Sequence, residues 1–149
     1  MGTQIQLNWM CIRIFLDANV LIDVVQNRID FVEASSKILQ LGLDGRCELW
    51  VSDITMVTVA YYAKRHRTIE QFYHVMCELR SILNVVSPGV SAIDWALQQR
   101  NKDFEDTIQY YAAKWCGAEY IITRNERDYP YTDIPAVSPT TFLKLIGAE

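Results

Sequence analysis

No run of apolar residues approaches the length of a membrane span, and the N-terminus lacks the basic-then-apolar build of a signal peptide. The expectation is a protein of the reducing cytoplasm with no membrane partner. Cysteine is sparse and scattered: Cys11, Cys47, Cys77 and Cys116 form no C-x-x-C pair and have no histidine at ligand spacing, which argues against zinc. A chain of 149 residues has enough core to fold without covalent staples, so no disulfide framework is expected. Each cysteine sits in an apolar run and is read as a small hydrophobe. Glycine-rich motifs are missing too. Neither G-x-G-x-x-G nor G-K-[ST] occurs, which removes the common nucleotide cradles, and the serine-hydrolase elbow G-x-S-x-G is absent. There is no internal repeat, low-complexity stretch or linker. Nor is there an excess of positive charge, the formal net charge being -4. That excludes passive coating of nucleic acid. It does not exclude a nuclease, because carboxylates that hold a divalent cation count as negative until the cation arrives.

What is present is an ordinary globular balance, half apolar and 21% charged, sized for one domain. The domain is taken as residues 10–149, with 1–9 an N-terminal extension of no assigned function. The run Cys11 to Leu16 is a β-rich apolar strand ending at Asp17. From Asn19, the spacing of Val20, Leu21, Val24 and Val25 predicts a helix. A second helix over Phe31 to Leu43 is closed by Gly42 and Gly45. Glu48 to Ser52 reads as a strand, followed by helices over Ile54 to Arg65 and Ile69 to Leu83. Val85-Val86 is a short strand before a Pro88-Gly89 turn. Helices follow over Ser91 to Arg100 and Asp103 to Cys116. Tyr120 to Thr123 is a strand, Ala136-Val137 an edge strand, and Ser138-Pro139-Thr140 caps a last helix, Thr141 to Ile146. Strands alternating with helices predict an α/β fold: three layers, α/β/α, around a mostly parallel sheet of four to five strands.

In such sheets ligands bind beyond the carboxyl ends of the strands, and that is where the acids fall. Asp17 directly follows the first strand, with Asn19 two residues on. Thr123, Arg124 and Asn125 end a later strand, with Asp128 just beyond. Asp103, Glu105 and Asp106 open the helix leading into it, Asp103 and Asp106 sharing a face. Each acid has a simpler reading. Asp103 or Asp106 would serve as helix caps, as would Asp17, and Asp23 would be a solvated or hydrogen-bonded surface acid. The pattern says more than any one residue, since gathered like charges repel unless a proton or a cation joins them. Oxygen ligands without cysteine or histidine select Mg²⁺ or Mn²⁺. Carboxylates around such an ion commonly act on phosphate esters. An aspartyl-phosphate mechanism needs a second acid beside Asp17 and a lysine after a later strand. Asn19 and Arg124 occupy those places, so water is the better nucleophile.

The segment Ile14-Phe-Leu-Asp17-Ala-Asn-Val-Leu-Ile-Asp23 resembles the opening of PIN-domain ribonucleases. Asp103-Phe-Glu-Asp106-Thr-Ile-Gln-Tyr-Tyr-Ala-Ala113, followed by Ala118-Glu-Tyr-Ile-Ile-Thr123-Arg-Asn125-Glu-Arg-Asp128-Tyr129, is similar to that family's second half. The likeness covers nearly the whole chain. It implies a Mg²⁺- or Mn²⁺-dependent nuclease cutting single-stranded RNA, of the VapC-like toxin type held in check by an antitoxin, with a homodimer expected. Carried over by position, Asp17 matches the first acidic ligand and Asp106 the acid opening the later helix. Asp103 is an added acid shared by some members, and Asn125, with Asp128 nearby, falls at the last acidic position. Asp17, Asp106 and Asp103 are thus the expected metal ligands, with Asn125 joining them in catalysis. Asn19, Thr123, Arg124, Arg127 and Asp128 would line the substrate side, Arg124 and Arg127 gripping phosphate.

One position departs from the family. Members usually carry a glutamate six residues after a serine in the helix behind the second strand. Counted from Ser52 that position is Thr58, and no glutamate lies between Glu48 and Glu70; Asp53, nearby, is read as a cap. The competing expectation is therefore an inactive PIN-like domain that binds RNA or a protein partner. Elsewhere, Lys64-Arg65-His66-Arg67 is either a positively charged helix C-terminus or a phosphate contact. Tyr61, Tyr62, Tyr110, Tyr111 and Tyr129 would either stack on bases or fill core and subunit contacts.

Overall fold

The computed structural model describes residues 11–149. The expected extension, 1–9, lies outside the described residues. Five strands, β1 (Ile12–Leu16), β2 (Cys47–Ser52), β3 (Leu83–Val86), β4 (Tyr120–Ile122) and β5 (Ala136–Val137), form one parallel sheet in the order β3-β2-β1-β4-β5. Seven helices connect and follow them: α1 (Ala18–Val25), α2 (Val32–Leu43), α3 (Asp53–Ala63), α4 (Ile69–Ile82), α5 (Gly89–Gln99), α6 (Phe104–Trp115) and α7 (Pro139–Leu145). None of the described helices is long and apolar enough to cross a membrane.

Strand β1 shows why the fold has three layers. Ile14, Phe15 and Leu16 are all fully buried, so both faces of the strand must be covered. Ile14 and Leu16 pack into a cluster with residues of α1, α2, α3, α4 and α7. Phe15 points the other way, among Tyr110, Ala112, Ala113 and Ile121, where α6 covers the sheet with α5 packed beside it. The expected α/β/α architecture is thus the observed one.

Three local expectations change. Leu83 begins β3 instead of ending α4; a buried leucine one turn beyond Leu79 satisfies helical periodicity in either state. Gly42 lies within α2 and ends nothing. A Cβ there would collide with the Leu49 side chain, so this glycine lets α2 approach the sheet, and the chain turns at Gly45 with φ +70°. Ser52, not Asp53, caps α3, its side chain accepting from the Thr55 amide at 3.1 Å.

Strand order determines where a ligand can enter. From β1 the chain runs outward to β2 and β3, then crosses back to lay β4 on the other side of β1. The β1–β4 boundary is therefore the switch point where connections diverge and leave a crevice at the carboxyl edge. Asp17 follows β1 and Thr123 follows β4, both at that edge.

Candidate active site

Asp17 occupies the N-cap position of α1, yet its side chain makes no capping hydrogen bond. The carboxylate instead accepts from the Thr123 hydroxyl at 2.7 Å and from the Asn19 amide nitrogen at 3.3 Å. Asp17 thus holds the cap position while its strongest side-chain partner lies on another strand. Thr123 is fully buried and works in both directions, since its Oγ1 also accepts from the Asn125 backbone N–H at 3.0 Å and from Asn19 at 3.3 Å. Asn19 Oδ1 takes the Arg124 backbone N–H at 3.3 Å. Asn19 and Thr123 thus tie the end of β1 to the loop after β4 and orient Asp17 between them.

Helix α6 runs back along the sheet before β4, which brings its first turn to the same edge. Asp103 is its N-cap: Oδ1 accepts from the Asp106 backbone N–H at 2.9 Å. The capping reading is therefore realised for Asp103. Asp106 is half-buried and receives the Tyr129 hydroxyl at 3.4 Å. Asn125, Arg127 and Asp128 are exposed on the loop beyond β4, where residues Glu126–Asp128 form one 3-10 turn.

The electrostatics bring these acids together. Burial holds the Asp17 carboxyl above the usual carboxylate range, with Asp128 adding to the rise and the Thr123 hydrogen bond opposing it. Burial, followed by the charges of Asp17, Asp103, Asp128 and Glu105, pushes Asp106 up to about 7. Glu105 is raised as well, by burial and by Asp17 and Asp103. Five carboxylates therefore share one field, and what they lack is positive charge. A cation placed among them would offset both the burial and the repulsion that raise these groups.

Oxygen donors that repel one another this strongly fit a hard divalent ion. Among the described residues, no group of three or more His, Cys, Asp and Glu side chains forms a ready-made cage. Asp17 and Asp106 are the donors that neither cap a helix nor lie fully open to solvent.

Arg124, expected on phosphate, points elsewhere. Its guanidinium binds Asp23 in a two-pronged pair, Nε to Oδ2 at 2.8 Å and Nη2 to Oδ1 at 3.1 Å, and lies 4.0 Å from the centre of the Phe31 ring. Asp23 is correspondingly no surface acid. It is fully buried, also accepts from Ser35 at 3.3 Å, and faces Arg28 at 3.6 Å. Tyr129 is only 3% exposed, so it cannot stack on a base, and its hydroxyl is held protonated by burial beside Asp17 and Asp106. Tyr110 is buried in the core and stacks on Tyr131.

Two features escaped the sequence reading. Glu105 is, in the sequence, only one acid of a helical first turn, and its coupling to Asp17 depends on the fold. The second is a buried polar trio: Ser52 donates to Gln109 Oε1 at 2.8 Å, and Gln109 donates to Thr55 Oγ1 at 3.0 Å. It locks α6 to the end of β2 and the start of α3, fixing the helix that carries Asp106. Thr58, at the position of the missing glutamate, is half-buried and turns its hydroxyl back to the Ile54 carbonyl at 3.1 Å.

The chain is similar to known proteins along most of its length. A family model described as a PIN domain matches residues 13–127. Ribonuclease VapC1 of Aquifex aeolicus (strain VF5) is 24% identical over 135 residues, spanning 87% of this chain and 92% of that one. Among solved structures, VapBC2 from Rickettsia felis, bound to a DNA fragment from their promoter, superposes with a TM-score of 0.62 at 14% identity. That match covers 84% of this chain and 97% of the other.

Proposed function

This chain belongs to the PIN domain family, and from that premise we propose that it is a Mg²⁺- or Mn²⁺-dependent endoribonuclease that hydrolyses phosphodiester bonds of single-stranded RNA. The observation that carries the proposal is the set of mutually repelling carboxylates at the β1–β4 switch point, with Asp106 pushed up to about 7. The likeness to Ribonuclease VapC1 supports RNA as the substrate; a cytoplasmic toxin with a protein antitoxin, working as a homodimer, is part of the same proposal.

A divalent ion held there would neutralise the scissile phosphate and make water a stronger nucleophile at neutral pH. The residues have separable tasks. Asp17, aimed by Thr123 and Asn19, and Asp106, steadied by Tyr129, supply the oxygens that hold the ion. Asp103 orders the first turn of α6 and adds negative field. Asn125 and Asp128 border the open side, and Arg127, exposed on the same turn, meets an incoming phosphate. Arg124 braces the loop through Asp23, and serves phosphate only by exchanging that partner.

Thr58 favours a second reading, an inactive PIN-like domain that binds RNA or protein, because a hydroxyl bonded within its own helix does not replace a glutamate. One experiment separates the two. The protein is titrated calorimetrically with Mg²⁺ and with Mn²⁺, and single-stranded RNA cleavage is followed in the same buffers. Metal binding with metal-dependent cleavage, both lost in Asp17→Asn with the fold retained, supports the nuclease. Neither binding nor cleavage at millimolar metal supports the inactive domain.

A further inference from the structure

On the side of the molecule where α1 ends, a cleft of about 730 Å³ lies between α1, the C-terminus of α3 and the first turns of α4. Its polar lining includes Arg28, Arg65, His66, Arg67, Gln71 and His74, and no acid is among its lining residues. In a chain of net charge -4 this concentration of cations is out of keeping with the rest of the surface.

Part of this charge has a structural task. Arg67 donates to the Ala63 carbonyl at 2.9 Å and to the Val25 carbonyl at 2.8 Å, offsetting the C-terminal ends of α3 and α1 together. His74 lies 3.1 Å from Glu78, one turn along α4. Arg65 has no carboxylate partner among the described residues; it lies over the rings of Tyr61 and Tyr62. Tyr61 is 53% exposed, which leaves an aromatic surface beside an unneutralised guanidinium at the rim of the cleft. Cation and aromatic ring together are what a single strand uses, phosphate on one and base on the other.

The cleft is also joined to the candidate active site. The buried Asp23 carboxylate bridges Arg28, on the cleft wall, and Arg124, on the loop after β4. Helix α1 spans the gap, with Asp17 before its first residue and Val25 at its last. Eight helical residues cover roughly 12 Å, which sets the span between the two ends of α1.

We infer that this cleft is a second binding site for the RNA substrate, holding the sugar-phosphate backbone a few nucleotides from the bond that is cut, with Arg65 and Tyr61 as its outer contacts. The inference rests on the ribonuclease reading for the identity of the strand, but it concerns binding rather than cleavage.

The test uses the full chain carrying Asp17→Asn, so that RNA is not consumed, and a fluorescent single-stranded oligoribonucleotide read by anisotropy. Arg65→Glu is compared with Lys144→Glu, which makes the same charge change at an exposed position of α7. Arg65→Glu is expected to weaken binding about tenfold more than Lys144→Glu and to flatten the slope of log affinity against log salt by roughly 0.7 or more, the value for one lost phosphate on a single strand. A dinucleotide, with one internucleotide phosphate and too short to occupy both places, is expected to bind both variants alike. Equal affinity of the two variants for the long strand overturns the cleft, even if the wild-type protein cleaves RNA. Arg65-dependent binding by a wild-type chain that does not cleave supports the cleft and removes the nuclease. A polyglutamate peptide that binds in an Arg65-dependent way while RNA does not bind would overturn the inference and assign the cleft to an acidic protein segment.

Discussion

The raised Asp106 carboxyl makes the protein's affinity for a divalent ion a function of pH across the neutral range. With Asp106 titrating at about 7 in the metal-free protein, its ionised fraction is roughly a tenth at about pH 6 and nine-tenths at about pH 8. A metal that binds only the ionised form competes with that proton, so its apparent dissociation constant should fall roughly tenfold between those two conditions. The same shift carries a sign for stability. A carboxyl raised on folding contributes stability that is complete below its unfolded value, near 3.8, and is lost as pH rises through about 7. The metal-free protein should therefore unfold more easily at about pH 8 than at about pH 5, and metal should restore the loss chiefly at the higher pH. The assay is Mn²⁺ calorimetry at both pH values in two buffers of different ionisation enthalpy, which also counts the protons released. Asp106→Asn should flatten the pH dependence while lowering affinity. An affinity that does not change between about pH 6 and pH 8, or an Asp106→Asn variant with the wild-type slope, would refute the assignment of this proton to Asp106.

Three further outcomes follow from the described contacts. Asp23→Ala leaves the Arg124 and Arg28 guanidinium groups without their buried partner and should cost about 3–5 kcal/mol in urea unfolding; a double-mutant cycle with Arg124→Ala should recover part of it, and strict additivity would show that the pair does not couple. Gln109→Leu strands the Ser52 and Thr55 hydroxyls and should lose about 1–3 kcal/mol, with loosened metal affinity as α6 is released; unchanged thermal unfolding would deny the trio a structural part. Thr58→Glu adds a carboxylate at the position where the family resemblance leads one to expect it, and should tighten Mn²⁺ binding and speed RNA cleavage. Unchanged binding and rate would show that this helix position does not reach the ion.

The sequence showed the site's components more clearly than their partnerships. Asp17 was legible because a buried apolar strand followed at once by an acid is a pattern with few structural causes. Asp106 and Thr123 were legible through their places at a helix start and a strand end. Asp23 was misread as a surface acid because its partner, Arg124, lies 101 residues away, and no local spacing records such a pair. Tyr129 was left open between base stacking and the core, and the structure takes the core alternative: a tyrosine next to a proline in a polar loop gives no local sign that its ring folds inward against Asp106. Leu83 shows the limit of periodicity, since a residue buried at a helix-to-strand junction fits both patterns. The Ser52–Thr55–Gln109 trio was invisible in the sequence, because glutamine in a helix is ordinarily solvated and only the fold buries this one.

The link between Asp17 and Thr123 also sets a timetable for synthesis. The two residues are separated by 106 positions, and β4 reaches β1 only after β2, β3 and the intervening helices have emerged. Until then β1 has an open flank where β4 belongs, and the Asp17 carboxylate has neither Thr123 nor Asp106 beside it. A nascent chain, or one cut short anywhere before Thr123, therefore carries an aspartate that lacks the shorter of its two side-chain hydrogen bonds. The ribosome making this protein releases almost all of it before any of it can act.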